Sequence, residues 1–364
     1  MKKNVAKLRI CHCLWTGEVG GIERVTTTLV LAQKQKHTVG VLFGKAGGPF
    51  YQQLRTAGVP AHILGMKSGF TFSPRLLQQA TSFFQQFDVI HLQAFNYLLW
   101  IAAFRSGKKI VFTFHSLTSL RKKPNWRDRI SKRFMASSLK KSVHQVTTVS
   151  QFARQHLEKE FPGIDIEVVP NCILPLPQGE PLTRKALDIP ADAPVLLTYG
   201  RLVWHKRVDW VVERLQTLLP QFPNLVYIIE GEGPEKARLQ SLVQQHNLEA
   251  HVKFPGFSDR IFDLLPIADA CVFPSHAESF GLVSLECLQA GKAPFVLADG
   301  GGLAEVLAPL EQGRFVAETP DELMQKVAQW LLDQPQKPNK DWKRLLRNYD
   351  ANAIAERYYQ HYTA

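Results

Sequence analysis

The sequence has no long apolar run and few cysteines. None of its apolar stretches approaches the roughly 20 residues that a membrane-spanning helix needs. The five cysteines, Cys11, Cys13, Cys172, Cys271 and Cys287, form no Cys-x-x-Cys pair and lie in apolar settings, which favours buried thiols over disulfides or metal ligands. The first residues lead into a predicted strand rather than a signal peptide. We therefore expect a reduced, cytoplasmic chain that does not span a membrane.

Acidic residues are scarce in the first half of the chain. The formal net charge is +12, but residues 1–170 have a net charge of +17 and residues 171–364 a net charge of −5. The densest basic run, residues 121–141, holds nine Lys and Arg and one acid, and from residue 126 onward it is predicted as a basic amphipathic helix. We expect an anionic partner for this half, and nucleic acid and a membrane surface are both candidates on charge alone. The alternative is that the apolar face packs on the core and the charges are solvated.

Short apolar segments alternate with helical stretches along the chain. Strands are predicted at residues 8–14, 38–43, 61–64, 88–92, 109–114, 143–149 and 166–169, and again at 195–199, 225–230, 251–254, 270–273, 293–297 and 313–316. This alternation is typical of an α/β fold with parallel sheets. A proline-rich stretch separates the two series. We expect Rossmann-like domains at residues 1–173 and 195–340, a linker at 174–194 and a C-terminal helix at 341–364.

The most informative stretch is residues 270–294. Its sequence predicts a buried strand, Ala270–Phe273, then a loop and a helix over Phe280–Ala290. The backbone amides of Ser279, Phe280, Gly281 and Leu282 would then form a helix N-terminus, which favours phosphate. Glu278 and Glu286 stand on either side, where carboxylates can accept hydrogen bonds from sugar hydroxyls. The combination suits a nucleotide-sugar, although either glutamate alone is more often a helix cap or a dipole partner.

Glu278, the Ser-Phe-Gly segment and Glu286 together resemble the Glu-x7-Glu signature of the family-four GT-B glycosyltransferases, the retaining, glycogen-synthase-like group that includes bacterial lipopolysaccharide and capsule enzymes. The resemblance implies two Rossmann-like domains that face a cleft, the first binding the acceptor and the second the nucleotide-sugar. It also implies that the last helix crosses back onto the first domain. In such enzymes the leaving phosphate oxygen deprotonates the acceptor hydroxyl, and no residue stands out as a covalent nucleophile.

The resemblance assigns roles to residues elsewhere in the second half. Arg201 and Lys206 match basic residues directed at the donor diphosphate, where two cations would remove the need for a bound metal. The remaining matches are turns and a base-framing aromatic residue near the nucleotide: Gly231, Glu232, Phe254, Gly302 and Glu305. A solvated basic loop is the alternative interpretation of Arg201 and Lys206.

Three residues of the first half are assigned in the same way. Gly21 matches a Gly-Gly-x-Glu loop, His115 a histidine placed against the donor sugar, and Ser150 a serine between a strand and a helix. A plain turn, a loop histidine and a helix cap are the respective alternatives. The chain departs from the family at Cys172, where a glycine is common, and at Gln93, where a second histidine often follows His91.

The resemblance implies a hexosyltransferase that requires no cofactor and no metal and transfers to a saccharide or lipid-linked saccharide in lipopolysaccharide or other surface polysaccharide assembly. A UDP-sugar is the default donor among similar enzymes, and the sequence leaves ADP- and GDP-sugars open. We expect the protein on the inner face of the plasma membrane, held by residues 121–141, without a nucleic-acid partner. A nucleotide-sugar epimerase on the same plan is an alternative, and a non-enzymatic binder of anionic polymers is a weaker one. A dinucleotide oxidoreductase is disfavoured because no Gly-x-Gly-x-x-Gly follows the first strand.

Overall fold

The structure is a computed structural model, and it describes residues 6–69, 71–117, 126–175, 182–256, 261–310, 313–333 and 340–364. The chain divides into two compact units. The first consists of Met1–Leu174 together with Asn348–Ala364, and the second of Pro175–Arg347. Within the part of the chain that is described, no helix has both the length and the apolar character that crossing a bilayer requires.

A seven-stranded sheet forms the centre of the first unit. Its strands lie side by side in the order β3-β2-β1-β4-β5-β6-β7, and every pairing is parallel. They are β1 (Arg9–Thr16), β2 (Thr38–Ala46), β3 (Ala61–Ile63), β4 (Val89–Leu92), β5 (Lys109–Phe114), β6 (Gln145–Thr148) and β7 (Ile166–Val168). The central strands are buried on both faces, which explains why they appear in the sequence as continuous apolar runs.

Helices between these strands cover the first sheet. They are α1 (Gly21–Lys34), α2 (Pro49–Thr56), α3 (Pro74–Phe84), α4 (Tyr97–Arg105), α5 (Trp126–Ser142) and α6 (Gln151–Glu160). A further helix, α14 (Ala351–Thr363), joins this unit from the end of the chain and packs against α1. It buries Ile354, Tyr358 and Tyr362, which recur every four residues and therefore share one face.

The second unit contains a six-stranded parallel sheet in the order β10-β9-β8-β11-β12-β13. Its strands are β8 (Val195–Tyr199), β9 (Val226–Glu230), β10 (Val252–Gly256), β11 (Ala270–Phe273), β12 (Ala293–Leu297) and β13 (Val316–Ala317). Its helices are α7 (Val208–Arg214), α8 (Lys236–Gln245), α9 (Ile261–Leu264), α10 (Leu282–Gln289), α11 (Gly302–Leu307), α12 (Pro320–Asp333) and α13 (Lys340–Arg347).

The two sheets follow the same plan. Counted from its own first strand, each places strands 3, 2, 1, 4, 5 and 6 side by side, which is the Rossmann order, and the first sheet adds a seventh strand at the edge. The strand order reverses between β1 and β4 in one unit and between β8 and β11 in the other. Ligands of such sheets bind beyond the carboxyl ends of the strands at this reversal. The predicted α/β fold with two Rossmann-like domains is confirmed.

The structure differs from the sequence prediction at the proline-rich stretch. Residues 182–194 are an integral part of the second unit rather than a free linker, and they include a 3-10 helix, Arg184–Leu187. The Arg184 guanidinium donates to the Ala193 carbonyl and pairs with Asp269, 2.9 Å away. Proline limits regular secondary structure, but the side chains of neighbouring residues such as Arg184 can still hold the segment in place. Hydrophobic periodicity in the sequence does not reveal such contacts.

The C-terminal prediction was also too simple. The predicted single helix consists of α13, which belongs to the second unit, and α14, which belongs to the first. Asp350 separates them and caps α14, because its carboxylate accepts from the amides of Asn352 and Ala353. In the second unit, α9 is followed directly by a 3-10 turn, Leu265–Ile267.

Candidate active site

The loop after β8 carries the two predicted cations. Gly200 leaves the strand with a φ of +119°, Arg201 is exposed to solvent, and Lys206 ends a short 3-10 helix, Trp204–Lys206. Arg207 follows with a φ of +50°, a left-handed conformation that is uncommon for a residue with a side chain. The carboxyl end of β8, at the reversal of strand order, therefore presents positive charge.

Glu278, in the loop after β11, meets this positive charge directly. The Lys206 Nζ lies 2.7 Å from Glu278 Oε1, and the two side chains are only 20% and 22% exposed. Ala277, just before Glu278, has a φ of +53° and donates its amide to the Asp299 carbonyl. The structure thus brings Lys206 and Glu278, which are 72 positions apart in the sequence, into one ion pair at the strand-order reversal.

The backbone of Glu278 organises the predicted glycine turn. Its amide donates to the Gly300 carbonyl, and its carbonyl accepts from the Gly302 amide at 2.7 Å. A Cβ on Gly302 would lie 2.5 Å from the Phe280 Cα and 2.7 Å from the Ser279 carbonyl oxygen. Glycine is therefore required by close backbone approach at this point, and the segment 278–281 and the turn at 300–302 form one packed cluster. Glu305 lies in the first turn of α11, which this turn opens.

A second cluster joins the ends of β8, β9 and β10. The Gly231 amide donates to the Gly256 carbonyl, and a side chain on Gly231, whose φ is +135°, would collide with the Gly200 carbonyl. The Leu202 amide donates to the Glu232 carbonyl, and the Glu232 carboxylate pairs with Lys236 on the surface. Phe254 lies nearby on β10 and is half-buried. Gly231 thus allows two loops of the candidate site to touch.

Helix α10 begins two residues later than predicted. Its first residue is Leu282, and Gly281 occupies the N-cap position with a φ of −111°, so Ser279 and Phe280 belong to the preceding loop. The amides at the start of the helix are therefore those of Leu282, Val283 and Ser284. Residues 278–281 pack against the glycine turn instead of entering the helix, so α10 starts later than predicted. Helical periodicity in the sequence gives no sign of such a contact.

Glu286 is buried inside the second unit. It is 6% exposed, and the Tyr199 hydroxyl donates to its Oε2 at 2.9 Å. Burial, aided by the neighbouring Cys287 and Glu286, raises the pKa of Tyr199 well above its ordinary value, so this hydroxyl stays a donor. Tyr199, the last residue of β8, therefore ties α10 to the same strand that leads to Arg201. Binding of ribose by Glu286 stays a prediction.

Four further residues near the ion pair, His205, Arg207, His276 and Asp299, were not predicted as site residues from the sequence. The His276 Nδ1 lies 3.0 Å from Asp299 Oδ2, and an Arg207 nitrogen lies 2.7 Å from the same oxygen. The His276 amide also donates to the His205 carbonyl, which binds the two loops together. Burial is the main cause that lowers the pKa of His205, and Lys206 and Arg201 lower it further. In the sequence, the only sign of this arrangement was the run of basic residues His205-Lys206-Arg207.

The predicted residues of the first unit lie in separate places. Gly21 begins α1, and the Glu23 carboxylate folds back over Gly20, where any side chain would collide with it. Ser150 is the N-cap of α6, since its Oγ accepts from the Ala153 amide at 3.0 Å. His115 follows β5 and its Nε2 lies 2.7 Å from Gln93 Oε1. Burial lowers the pKa of His115 to about 4, so the ring is neutral at pH 7.

The basic segment forms α5 over Trp126–Ser142, and its side chains are described from residue 132 onward. Met135 and Leu139 are buried in the core of the first unit, and Lys132 pairs with Glu160 at 3.1 Å. Phe134 is 37% exposed and packs on Phe95 and Tyr97. The predicted face that includes Leu139 is therefore at least partly a core-packing face. Residues 121–125 of this prediction lie outside the described residues.

Among the residues that the structure describes, no three His, Cys, Asp or Glu side chains are grouped in a way that would hold a metal ion. All five cysteines are buried as free thiols. The Glu278 carboxylate is paired with the Lys206 ammonium.

Comparison with known proteins finds the same architecture. An uncharacterized glycosyltransferase of Methanocaldococcus jannaschii is 30% identical over 201 residues, which are 52% of this chain and 51% of that protein. Anabaena HepE, solved in complex with UDP and glucose, superimposes with a TM-score of 0.74 at 18% identity over 98% of this chain and all of that one. WaaG, a glycosyltransferase involved in lipopolysaccharide biosynthesis, gives 0.69 at 16% identity over 98% of this chain and all of that one.

Family models match both units. The model "Glycosyltransferase Family 4" matches residues 19–174, and "Glycosyl transferases group 1" matches residues 180–348. The chain spans about half the length of the curated relatives that it matches. The structural superpositions confirm the predicted fold class. The chain therefore has the GT-B fold, its first unit matches the family-4 glycosyltransferase model, and its second unit matches the group-1 model.

Proposed function

We propose that this protein transfers a sugar from a UDP-sugar to a saccharide acceptor with retention of anomeric configuration. The observation that carries the proposal is the Lys206–Glu278 ion pair at the strand-order reversal of the second unit, with Arg201 exposed on the same loop as Lys206. Beyond the ends of β8 and β11, this is the position at which sheets of this kind bind nucleotides. The crystal structure of HepE with UDP and glucose supports UDP as the nucleotide.

In the proposal, the diphosphate of the donor replaces Glu278 as the partner of Lys206. An ammonium already held by a carboxylate at 2.7 Å loses little conformational entropy when the phosphate arrives. Arg201, exposed on the same loop, supplies the second cation. Two fixed cations stabilise the negative charge that develops on the leaving diphosphate, so we propose catalysis without a bound metal.

Glu278 then becomes available to the sugar. Its backbone is fixed by Gly300 and Gly302, so its carboxylate can swing from the ammonium to a sugar hydroxyl without moving the loop. We propose that Glu286 and the surrounding loops bind the nucleoside and that His115 acts on the transferred sugar as a neutral ring. The neutral state follows from its pKa of about 4, which leaves the imidazole able to donate and accept hydrogen bonds at pH 7.

The acceptor is proposed to be a growing surface polysaccharide such as lipopolysaccharide. The involvement of WaaG in lipopolysaccharide biosynthesis supports this class of acceptor. The positive charge of residues 1–170, a net +17, suits both an anionic saccharide and the anionic inner face of a plasma membrane. We propose that α5 provides reversible electrostatic docking there.

Calorimetry and product analysis test this proposal. UDP should bind more tightly than ADP or GDP, and Glu286→Gln should weaken UDP binding by about 10- to 100-fold, the equivalent of about 1–3 kcal/mol for a lost charged hydrogen bond. With an accepted donor and acceptor, NMR of the product should show the donor's anomeric configuration. Conversion of the donor alone into an epimer would instead identify an epimerase. Loss of activity in EDTA, restored by magnesium or manganese, would contradict a metal-free mechanism.

A further inference from the structure

A continuous chain of buried hydrogen bonds runs through the first unit from His115 to the C-terminal helix. His115 Nε2 contacts Gln93 Oε1 at 2.7 Å, and Gln93 Nε2 contacts His12 Nδ1 at 3.0 Å. His12 Nε2 lies 2.7 Å from Gln33 Oε1, and Gln33 Nε2 donates to the Tyr362 hydroxyl at 3.2 Å. From His12 to Tyr362, each of these side chains is nearly excluded from solvent. Residues from β1, α1 and α14, together with Gln93 just after β4, thus connect to His115.

The chain continues beyond Tyr362 into the centre of the sheet. The Tyr362 hydroxyl lies 2.7 Å from His91 Nδ1, and His91 Nε2 lies 2.7 Å from Thr113 Oγ1. Thr113 Oγ1 in turn contacts Thr147 Oγ1 at 2.7 Å, and the Thr147 hydroxyl donates to the Phe112 carbonyl. Tyr358 joins as a side branch beyond His91, with its hydroxyl 3.3 Å from Thr113 Oγ1 and also hydrogen-bonded to Thr147.

The direction of these bonds is the same throughout. A neutral histidine has one donor and one acceptor nitrogen, so each ring that lies between two neighbours accepts a hydrogen bond from one and donates a hydrogen bond to the other. With the amides oriented as described, Nε2 carries the proton in all three rings, and every donor from His115 to Thr147 faces an acceptor. Reversing both glutamine amides would move the proton to Nδ1 of all three rings and reverse every bond but the last, which would be lost because the Phe112 carbonyl can only accept. In either case His115, His12 and His91 share one tautomer.

The rings stay neutral because they are buried. Burial lowers the pKa of His12 to about 4 and that of His91 well below its ordinary value. A protonated ring would have two donors and would break the single direction of the chain. A buried donor or acceptor without a partner costs free energy. When one hydrogen bond of the chain is broken, the remaining groups therefore change their hydrogen bonding.

We propose that Gln93 is a positioning residue for His115, and that Tyr362 in α14 acts on His115 through the same chain. The proposal rests on the proposed function only in that His115 acts on a sugar. Gln93 and Tyr362 touch no substrate in it; together with the Asn171 side chain, which also hydrogen-bonds His115, they fix which nitrogen of His115 is the donor and where the ring points. The position of α14 thereby determines the tautomer and the orientation of His115.

NMR of protein labelled with 15N in histidine tests the positioning role without any substrate. In the wild-type protein, His115, His12 and His91, each assigned by a His→Gln variant, should show the same neutral tautomer at pH 7. Tyr362→Phe should divide the chain and give His115 a mixed or altered tautomer. Tyr358→Phe is the matched control, because it removes a hydroxyl from the same helix but only from the side branch, and it should leave His115 unchanged.

Gln93→Met, which keeps the length of the side chain and removes both polar ends, should have the same effect as Tyr362→Phe. Different tautomers on the three wild-type rings would overturn the proposal. A His115 signal unchanged in both variants would overturn it as well, even if both lower the melting temperature, because the network would then be only structural.

A kinetic measurement completes the test. Release of UDP from UDP-glucose should fall at least threefold in Tyr362→Phe relative to Tyr358→Phe, while UDP affinity should stay within twofold, because the UDP site is proposed in the second unit. Equal turnover in these two variants would contradict the positioning role. If the wild-type protein releases no UDP, the proposed donor is wrong, and the tautomer measurement still decides the fate of the positioning proposal.

Discussion

Lys206 and Glu278 pair at 2.7 Å, and each is flanked by a residue in the left-handed conformation. Arg207, after Lys206, has a φ of +50°, and Ala277, before Glu278, has a φ of +53°. Such conformations cost about 1 kcal/mol or more in residues with a side chain and persist only where the surroundings impose them. Here the Asp299 carboxylate holds Arg207, and the Asp299 carbonyl holds the Ala277 amide. Asp299 therefore fixes both loops that carry the ion pair.

Lys206→Ala should lower turnover by roughly 100-fold or more, because it removes a cation that stabilises the leaving diphosphate. The melting temperature without ligand should change little, since a partly exposed ion pair contributes only about 0–1 kcal/mol. Arg154→Ala, which removes a surface pair with Glu158 inside α6, is the control and should keep full activity. A Lys206→Ala variant with wild-type kinetics would exclude the lysine from the reaction.

Ala277→Gly should not weaken the fold, unlike most alanine-to-glycine changes. Glycine adopts a φ of +53° without steric cost, and this gain offsets its larger entropy when unfolded, so the net effect should lie within about 0.5 kcal/mol of zero or be stabilising. Ala328→Gly, inside α12, should cost about 1 kcal/mol. Midpoints of urea unfolding measure both. Equal destabilisation by the two changes would show that Ala277 is not strained.

The sequence was sufficient to predict the fold and the loops of the site. Periodicity located both parallel sheets, because strands buried on both faces leave continuous apolar runs such as Ala270–Phe273. Matches to short motifs pointed to Arg201, Lys206 and Glu278, and the structure places Lys206 and Glu278 together. The assignment of roles to these residues stays a prediction.

Long-range and strained features were out of reach. The pairing of His276 and Arg207 with Asp299 joins loops that are far apart in the sequence, and no local pattern encodes it. An alanine in a left-handed conformation, as at Ala277, gives no signal of its own, because alanine is ordinarily a helix former. Gln93 was noted only as a departure from a family pattern. Its place between two buried histidines became visible only in three dimensions.

Gly302→Ala should disrupt the candidate site. Its Cβ would meet backbone atoms of Ser279 and Phe280 at 2.5–2.7 Å, and backbone cannot rotate away as a side chain can. We expect a loss of about 1–3 kcal/mol in stability and a loss of UDP binding measurable by calorimetry. Gly69→Ala, where an added Cβ has no neighbour within 4 Å, serves as the control. Unchanged UDP affinity in Gly302→Ala would place the nucleotide away from this turn.

As the pH falls, the first unit should lose stability at a higher pH than the one at which carboxylates become protonated and their ion pairs are lost. The folded-state pKa values of His12 and His115 are about 4, below the ordinary value of 6.5. Between these values the unfolded chain binds protons that the folded chain does not, so stability is full above pH 6.5 and falls as the pH drops toward 4. Each ring should account for a loss of about 2 kcal/mol by pH 5.

Urea unfolding at pH 7 and pH 5 checks this dependence. His115→Gln should reduce the difference between the two pH values, because it removes one of the rings. His62→Gln, at an exposed position of the same unit, should leave the difference unchanged. A wild-type protein that is equally stable at both pH values would show that these rings protonate freely in the folded state.

Docking to an anionic membrane should depend on charge rather than on insertion of α5. Met135 and Leu139 face the core, so the part of the helix with described side chains offers Phe134 as its one exposed large apolar residue. Each basic residue near an anionic surface contributes up to about 1 kcal/mol, and several together give reversible binding.

We expect the protein to sediment with vesicles that contain phosphatidylglycerol and not with neutral vesicles. Salt should release it, because screening shortens the range of the charges. Replacing exposed Arg133, Lys140 and Lys141 with Ser should leave most of it in the supernatant. The same change at three basic residues of the second unit, Lys185, Arg238 and Lys343, should not. Equal sedimentation of both triple variants would mean that α5 does not set the docking surface, and a wild-type protein that stays in solution at low salt would point to a soluble acceptor.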